Sequence, residues 1–181
     1  MIELITSAAE AAKAVKSVAT PADLYFAKAM TLTGGFAAMA LAAIGSAYGA
    51  GRACSSAIGA WKKCYAQNKP APFQLLVFCG APLSQVIYGM ILMFVTISNT
   101  ASDTSLYAAW PIYLIVGIAS GIAMGISAFL QGSAGAAASD AFSESGKGFT
   151  NQLMAMGIIE TVAIFIMAFA IVLLGSVPMA A

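Results

Sequence analysis

One ionisable side chain stands inside a long apolar run. Glu160 follows Ile158-Ile159 and precedes an apolar stretch that continues to Leu174. An acid at the centre of a bilayer costs at least ~2.5–3.5 kcal/mol, so such residues mark ion or proton paths more often than packing. Other polar groups fall at comparable depth in neighbouring apolar runs: Gln131 in one, and Ser84 with Gln85 in another, with Tyr88 one turn beyond Ser84 and Thr161 directly after the acid. Pro82 interrupts its run beside Ser84, because it removes the hydrogen bond its N–H would have donated to the Phe78 carbonyl. A kink of this kind frees backbone carbonyls to face a polar site. One carboxylate, two amide oxygens, one hydroxyl and a freed carbonyl form an all-oxygen set suited to a hard cation. A single negative charge balances one sodium ion, whereas calcium normally takes more carboxylates. A proton would need only the carboxylate and one neighbour. A sodium ion must have its hydration shell replaced by oxygen dipoles, which is what two glutamines and a serine offer.

The composition places these residues in lipid. The chain has 181 residues, 61% of them hydrophobic and 8% charged, with a net charge of +1. Soluble domains carry about 25% charged residues. An ordinary soluble enzyme, a disordered chain and a nucleic-acid binder with a basic face are therefore excluded. Histidine is absent, which removes imidazole catalysis and imidazole metal ligation. Cys54, Cys64 and Cys79 have neither zinc-ligand spacing nor an even count.

Spanning the hydrocarbon core takes about 20 apolar residues. Four stretches qualify, at about 29–51, 73–98, 110–138 and 153–174, and residues 53–66 could prolong the first as helix. The apolar runs are continuous rather than alternating, which disfavours a barrel. The fold class expected is an all-α membrane protein of four transmembrane helices, arranged as two tandem helical hairpins. Residues 1–28 read as an N-terminal amphipathic or mobile segment, 29–106 as the first hairpin and 107–181 as the second, which carries Glu160. The N-terminal segment lacks the basic start and unbroken apolar run of a secretory signal. The first loop holds Arg52, Lys62, Lys63 and Lys69 with no acid. By the positive-inside rule that loop and the third-to-fourth loop lie in the cytoplasm, and both termini lie outside.

The two halves are related. Ser84, Val86-Ile87, Tyr88 and Met90 fall on Thr161, Ala163-Ile164, Phe165 and Met167, and the first and third spans are both rich in Gly and Ala. Gly117, Gly121 and Gly125 put a small-residue stripe along one helix face. That stripe serves either packing within one bundle or the crowded inner wall of a ring of copies.

The run Ala81-Pro82-Leu83-Ser84-Gln85-Val86-Ile87-Tyr88-Gly89 resembles the corresponding segment of the proteolipid K subunit of bacterial V-type (V/A-type) sodium-translocating ATPases. Phe129-Leu130-Gln131-Gly132 and Ile158-Ile159-Glu160-Thr161-Val162 resemble that family's glutamine and ion-carrying segments. The resemblance implies a rotor ring built from copies of this chain, with spans two and four on the lipid-facing wall. It implies one sodium ion per copy, held by Glu160, Gln131, Gln85, Ser84 and the backbone carbonyl of Ala81, with Tyr88 and Thr161 in support. Tyr88 would bond Glu160 in the locked site. The partners implied are membrane lipid, a stator subunit with an essential arginine and a central-stalk subunit, with ATP chemistry in a separate soluble head, so the chain is not an enzyme by itself. Two departures stand out. Ser84 replaces a frequent Thr, and Leu83 replaces a small residue and could crowd the site. The competing expectations are a proton-carrying ring, a small ion-coupled secondary transporter and a purely structural four-helix scaffold.

Overall fold

The computed structural model describes residues 20–102 and 104–177. Among the described residues there is no β-strand. The elements are α1 (Pro21–Ala66), α2 (Leu75–Gly80), a 3-10 turn (Ala81–Leu83), α3 (Ser84–Ser102), a second 3-10 segment (Thr104–Ala109), α4 (Trp110–Ser145) and α5 (Phe149–Gly175). Four helical runs are long and apolar enough to cross a membrane: α1, α2 with α3, α4 and α5. The chain is an all-α, multi-pass membrane protein.

α1 starts where its first turn is best satisfied. The Thr20 backbone N–H donates to Asp23 Oδ2 at 2.9 Å, the Asp23 N–H donates to Thr20 Oγ1 at 3.3 Å, and Pro21 occupies the first helical position. Residues 21–28 are therefore the opening turns of the first long helix rather than part of a separate segment. The expected amphipathic or mobile stretch otherwise falls on residues 1–19, outside the described residues. With 46 residues α1 is about 69 Å long, and α4 with 36 about 54 Å. Both exceed a hydrocarbon core of about 30 Å. They project together at the end that carries the first loop, where Lys63 Nζ bonds Asp140 Oδ1 at 3.0 Å and Glu144 Oε1 at 3.5 Å. At the opposite end Phe26 packs edge-on against Trp110, with ring centroids 5.4 Å apart. α1 and α4 thus run parallel, as two hairpins of like orientation require.

The close pairing of α1 and α4 comes from missing side chains. A Cβ on Gly117 would land on the Gly34 carbonyl, one on Gly45 on the Gly125 carbonyl, and one on Gly132 on the backbone of Gly49. The stripe 117/121/125 is used within the chain, against Gly34, Ala37 and Leu41 of α1. In lipid, where helices gain little from hydrophobicity, such backbone approach is the main source of association. α3 and α5 pack outside this pair. α5 buries only Met156, Ala163, Ala170 and Leu174 and exposes Ile158, Val162, Phe165, Phe169 and Val172.

α4 ends in a left-handed residue, Gly146 at φ 63°, whose N–H donates to the Phe142 carbonyl at 2.8 Å. Only glycine takes that conformation without a Cβ penalty. Gly146→Ala is expected to destabilise the second hairpin by about 1 kcal/mol, read as a lowered melting temperature in detergent.

Candidate ion-binding site

Pro82 breaks the second span as its chemistry demands. The helix stops at Gly80, three residues turn in 3-10 geometry, and α3 resumes at Ser84. The Ala81 carbonyl, at the break, accepts from Ser84 Oγ at 3.0 Å. This turn sets Gln85 inward, where it is fully buried.

From there a chain of hydrogen bonds crosses three helices. Ser84 Oγ shares its one hydrogen between the Ala81 carbonyl and Gln85 Oε1, the latter at 3.2 Å, and Gln85 Nε2 donates to Gln131 Oε1 at 2.8 Å. Gln131, also fully buried, donates from Nε2 to Glu160 Oε2 at 3.3 Å and to the Met156 carbonyl at 3.2 Å. Tyr88 Oη donates to Glu160 Oε1 at 2.6 Å. The structure thus gathers Ala81, Ser84, Gln85, Tyr88, Gln131 and Glu160 into one connected group.

Its surroundings are apolar on both sides. Toward the loop end lie Phe78, Cys79, Ala138 and Met156, and toward the other end Leu92, Met124 and Ala163. Glu160 stands eleven residues into α5 (149 to 160), about 16 Å from its start and about 22 Å from its end. It is partly buried at the edge between α5's packed stripe and its exposed apolar face. Each of its two oxygens meets a polar partner, Tyr88 Oη and Gln131 Nε2. Among the described residues no Lys or Arg pairs with it, and a lone acid at this depth must be neutralised, by a bound cation or by a proton. Among the described residues no three His, Cys, Asp or Glu side chains converge as metal ligands.

Two expected features lie elsewhere. The Thr161 hydroxyl does not join the group: it donates to the Ile158 carbonyl at 2.6 Å and is exposed. Successive helical residues point about 100° apart, so adjacency to Glu160 carries Thr161 off the site. Leu83 is 48% exposed and faces outward, so it does not crowd the ligand group. One contributor went unnoticed in the sequence. Ser127 Oγ donates to the Ile159 carbonyl at 2.9 Å, pinning α5 against α4 one residue before the acid. A serine within a Gly/Ala-rich helix reads as a small packing residue, and only its position one turn before Gln131 could have marked it.

The carboxamides have a definite sense. Gln131 turns its Nε2 toward Glu160 and its Oε1 toward Gln85. To offer oxygen to a cation beside Glu160, the Gln131 carboxamide must rotate and give up its bond to the carboxylate.

Compared with known families, residues 114–173 match the model of the ATP synthase C subunit. The match covers most of α4 and α5, the hairpin carrying Gln131 and Glu160, and leaves the first hairpin outside it. No curated protein matches the chain.

Proposed function

We propose that this chain is an ion-carrying rotor-ring subunit of a V-type ATPase or ATP synthase, with one sodium ion per copy bound at Glu160. The observation that carries the reading is the mid-span Glu160 carboxylate, tied to Tyr88 and Gln131 and without a cationic partner among the described residues. The family match over the same hairpin supports it, as do the exposed apolar faces, which need lipid or further copies against them.

The mechanism follows from charge. With sodium bound, the site is neutral and can travel through lipid. Glu160 supplies the negative charge, Gln131 rotates its oxygen to the ion, Gln85 offers the oxygen it already holds on the Ser84 side, and Ser84 and the Ala81 carbonyl complete the shell. Tyr88, bonded to the carboxylate, holds it inward and closes the site. A fixed arginine of the stator competes for the carboxylate and releases the ion. Each charge moved across the membrane is worth about 2.3 kcal/mol per 100 mV, which the ring couples to ATP chemistry in a separate head through a central stalk. The part played by this chain is to bind, neutralise and carry.

The test is modification of Glu160 by a hydrophobic carbodiimide. Sodium is expected to protect Glu160 at neutral pH. The double change Gln85→Leu with Gln131→Leu is expected to raise the sodium needed by about a hundredfold or more, since two dipoles of the shell are lost. Ion transport unchanged by that double change would favour a proton-carrying ring. Absence of protection at any sodium concentration would reject the sodium reading.

A further inference from the structure

The face of α1 turned toward the second span runs through Gly35, Met39, Ala42, Ser46, Gly49 and Ala53. Gly35 lies against Thr96 and Met93, Met39 against Gly89, and Gly49 against Pro82. The two segments are antiparallel. Ser46, between Met39 and Gly49, therefore comes level with residues 83–86, of which Gln85 is the buried member. On the α4 side Gly45 packs on Gly125 and Gly49 on Ala128, the latter within a turn of Gln131.

Ser46 is 2% exposed, and its Oγ has no hydrogen-bond partner. Serines inside helices commonly donate to the carbonyl four residues back, as Ser55, Ser133 and Ser139 do here. Ser46 does not, so its hydroxyl is aimed into the bundle. Gln85 has a matching deficit. Its Nε2 carries two hydrogens and donates one, to Gln131 Oε1. Two fully enclosed polar groups in one layer each need one more partner, and burial without one is costly.

We infer that Ser46 and the second Nε2 hydrogen of Gln85 hold a water molecule between them, and that this water keeps the Gln85 oxygen turned toward the ion site. The inference rests on the sodium reading and adds a positioning residue on α1, the one long helix that otherwise gives the site nothing. Ser46 does not touch the ion and acts only through Gln85. A buried water with two or more polar partners is a regular part of protein interiors.

Ser46→Ala is a mild change on a face that already carries Ala42 and Ala53. In the assembled protein it is expected to raise the sodium concentration for half-protection of Glu160 from carbodiimide by about three- to tenfold. The labelling rate without sodium should stay as in the unaltered protein, and any drop in melting temperature should be restored by Ser46→Thr together with the sodium midpoint, which a merely structural role for Ser46 would not predict. A density map of the unaltered assembly, at a resolution showing ordered water, is expected to place a peak about 3 Å from both Ser46 Oγ and Gln85 Nε2. Ser46 turned to the Ala42 carbonyl with no such peak, or a sodium midpoint unmoved by Ser46→Ala, would overturn the inference. If the peak is present while sodium fails to protect even the unaltered protein, the bridge stands and the sodium reading falls.

Discussion

Replacing Glu160 by Gln is expected to abolish ion transport by any complex that contains this chain, and to lower sodium affinity by more than about a hundredfold. The substitution preserves shape. A glutamine oxygen can still accept from Tyr88, whose hydroxyl now bonds Glu160 at 2.6 Å, and α5 keeps its packed stripe and the Ser127 bond to the Ile159 carbonyl. Folding and assembly should therefore survive. What disappears is the charge. A dehydrated cation then meets only dipoles in a low-dielectric layer and stays in water. Coupled ATP turnover should lose its sodium dependence while the soluble head keeps its uncoupled activity. A four-helix scaffold, in contrast, would tolerate the change with no loss of transport.

The second large effect concerns the floor on which the site is built. Gly45→Ala would drive a Cβ into the carbonyl of Gly125. Every atom it meets is Gly125 backbone, so no side chain can swing away, and α1 must move off α4. Overpacking of this kind costs about 3 kcal/mol or somewhat more. The consequence reaches the ion site, because Gln131 and Ser127 ride on α4 while Gln85 belongs to the hairpin of α1. Separation of the two helices would pull the 2.8 Å bond between the glutamines apart. The expected result is a strongly lowered melting temperature in detergent and weakened sodium protection of Glu160. Gly59→Ala is the control. A Cβ there meets no atom within 4 Å, and alanine in a helix interior is favoured over glycine by about 0.5–1 kcal/mol, so stability should hold or rise slightly.

These two sites differ in how plainly the chain announces them. Glu160 was legible because an acid in an apolar run has no inexpensive structural use, and Gln85, Gln131 and Pro82 were legible because each disturbs a run that is otherwise apolar. The four spans followed from length alone, and the parallel course of α1 and α4 from the relation between the halves. The glycine stripe was visible but its partner was not. Spacing tells which face of α4 is bare, whereas only the fold shows that Gly34, Ala37 and Leu41 fill it. The overhang of α1 and α4 was partly hidden as well, since hydropathy falls at the edge of the bilayer while the helix continues to Ala66 and Ser145. Thr161 and Leu83 misled for one reason. Neighbours in sequence point about 100° apart on a helix, so standing beside a ligand does not bring a side chain to it. Ser127 and Ser46 escaped notice because a small hydroxyl in a Gly/Ala-rich helix looks like packing until its hydrogen bonds, or their absence, are seen.

Equilibrium binding of radioactive sodium to the purified assembly addresses the central claim most directly. One ion per chain, displaced by excess unlabelled sodium and abolished by Glu160→Gln, is the predicted result. An assembly that retains no sodium above background, or that retains as much after Glu160→Gln as before it, would contradict the account.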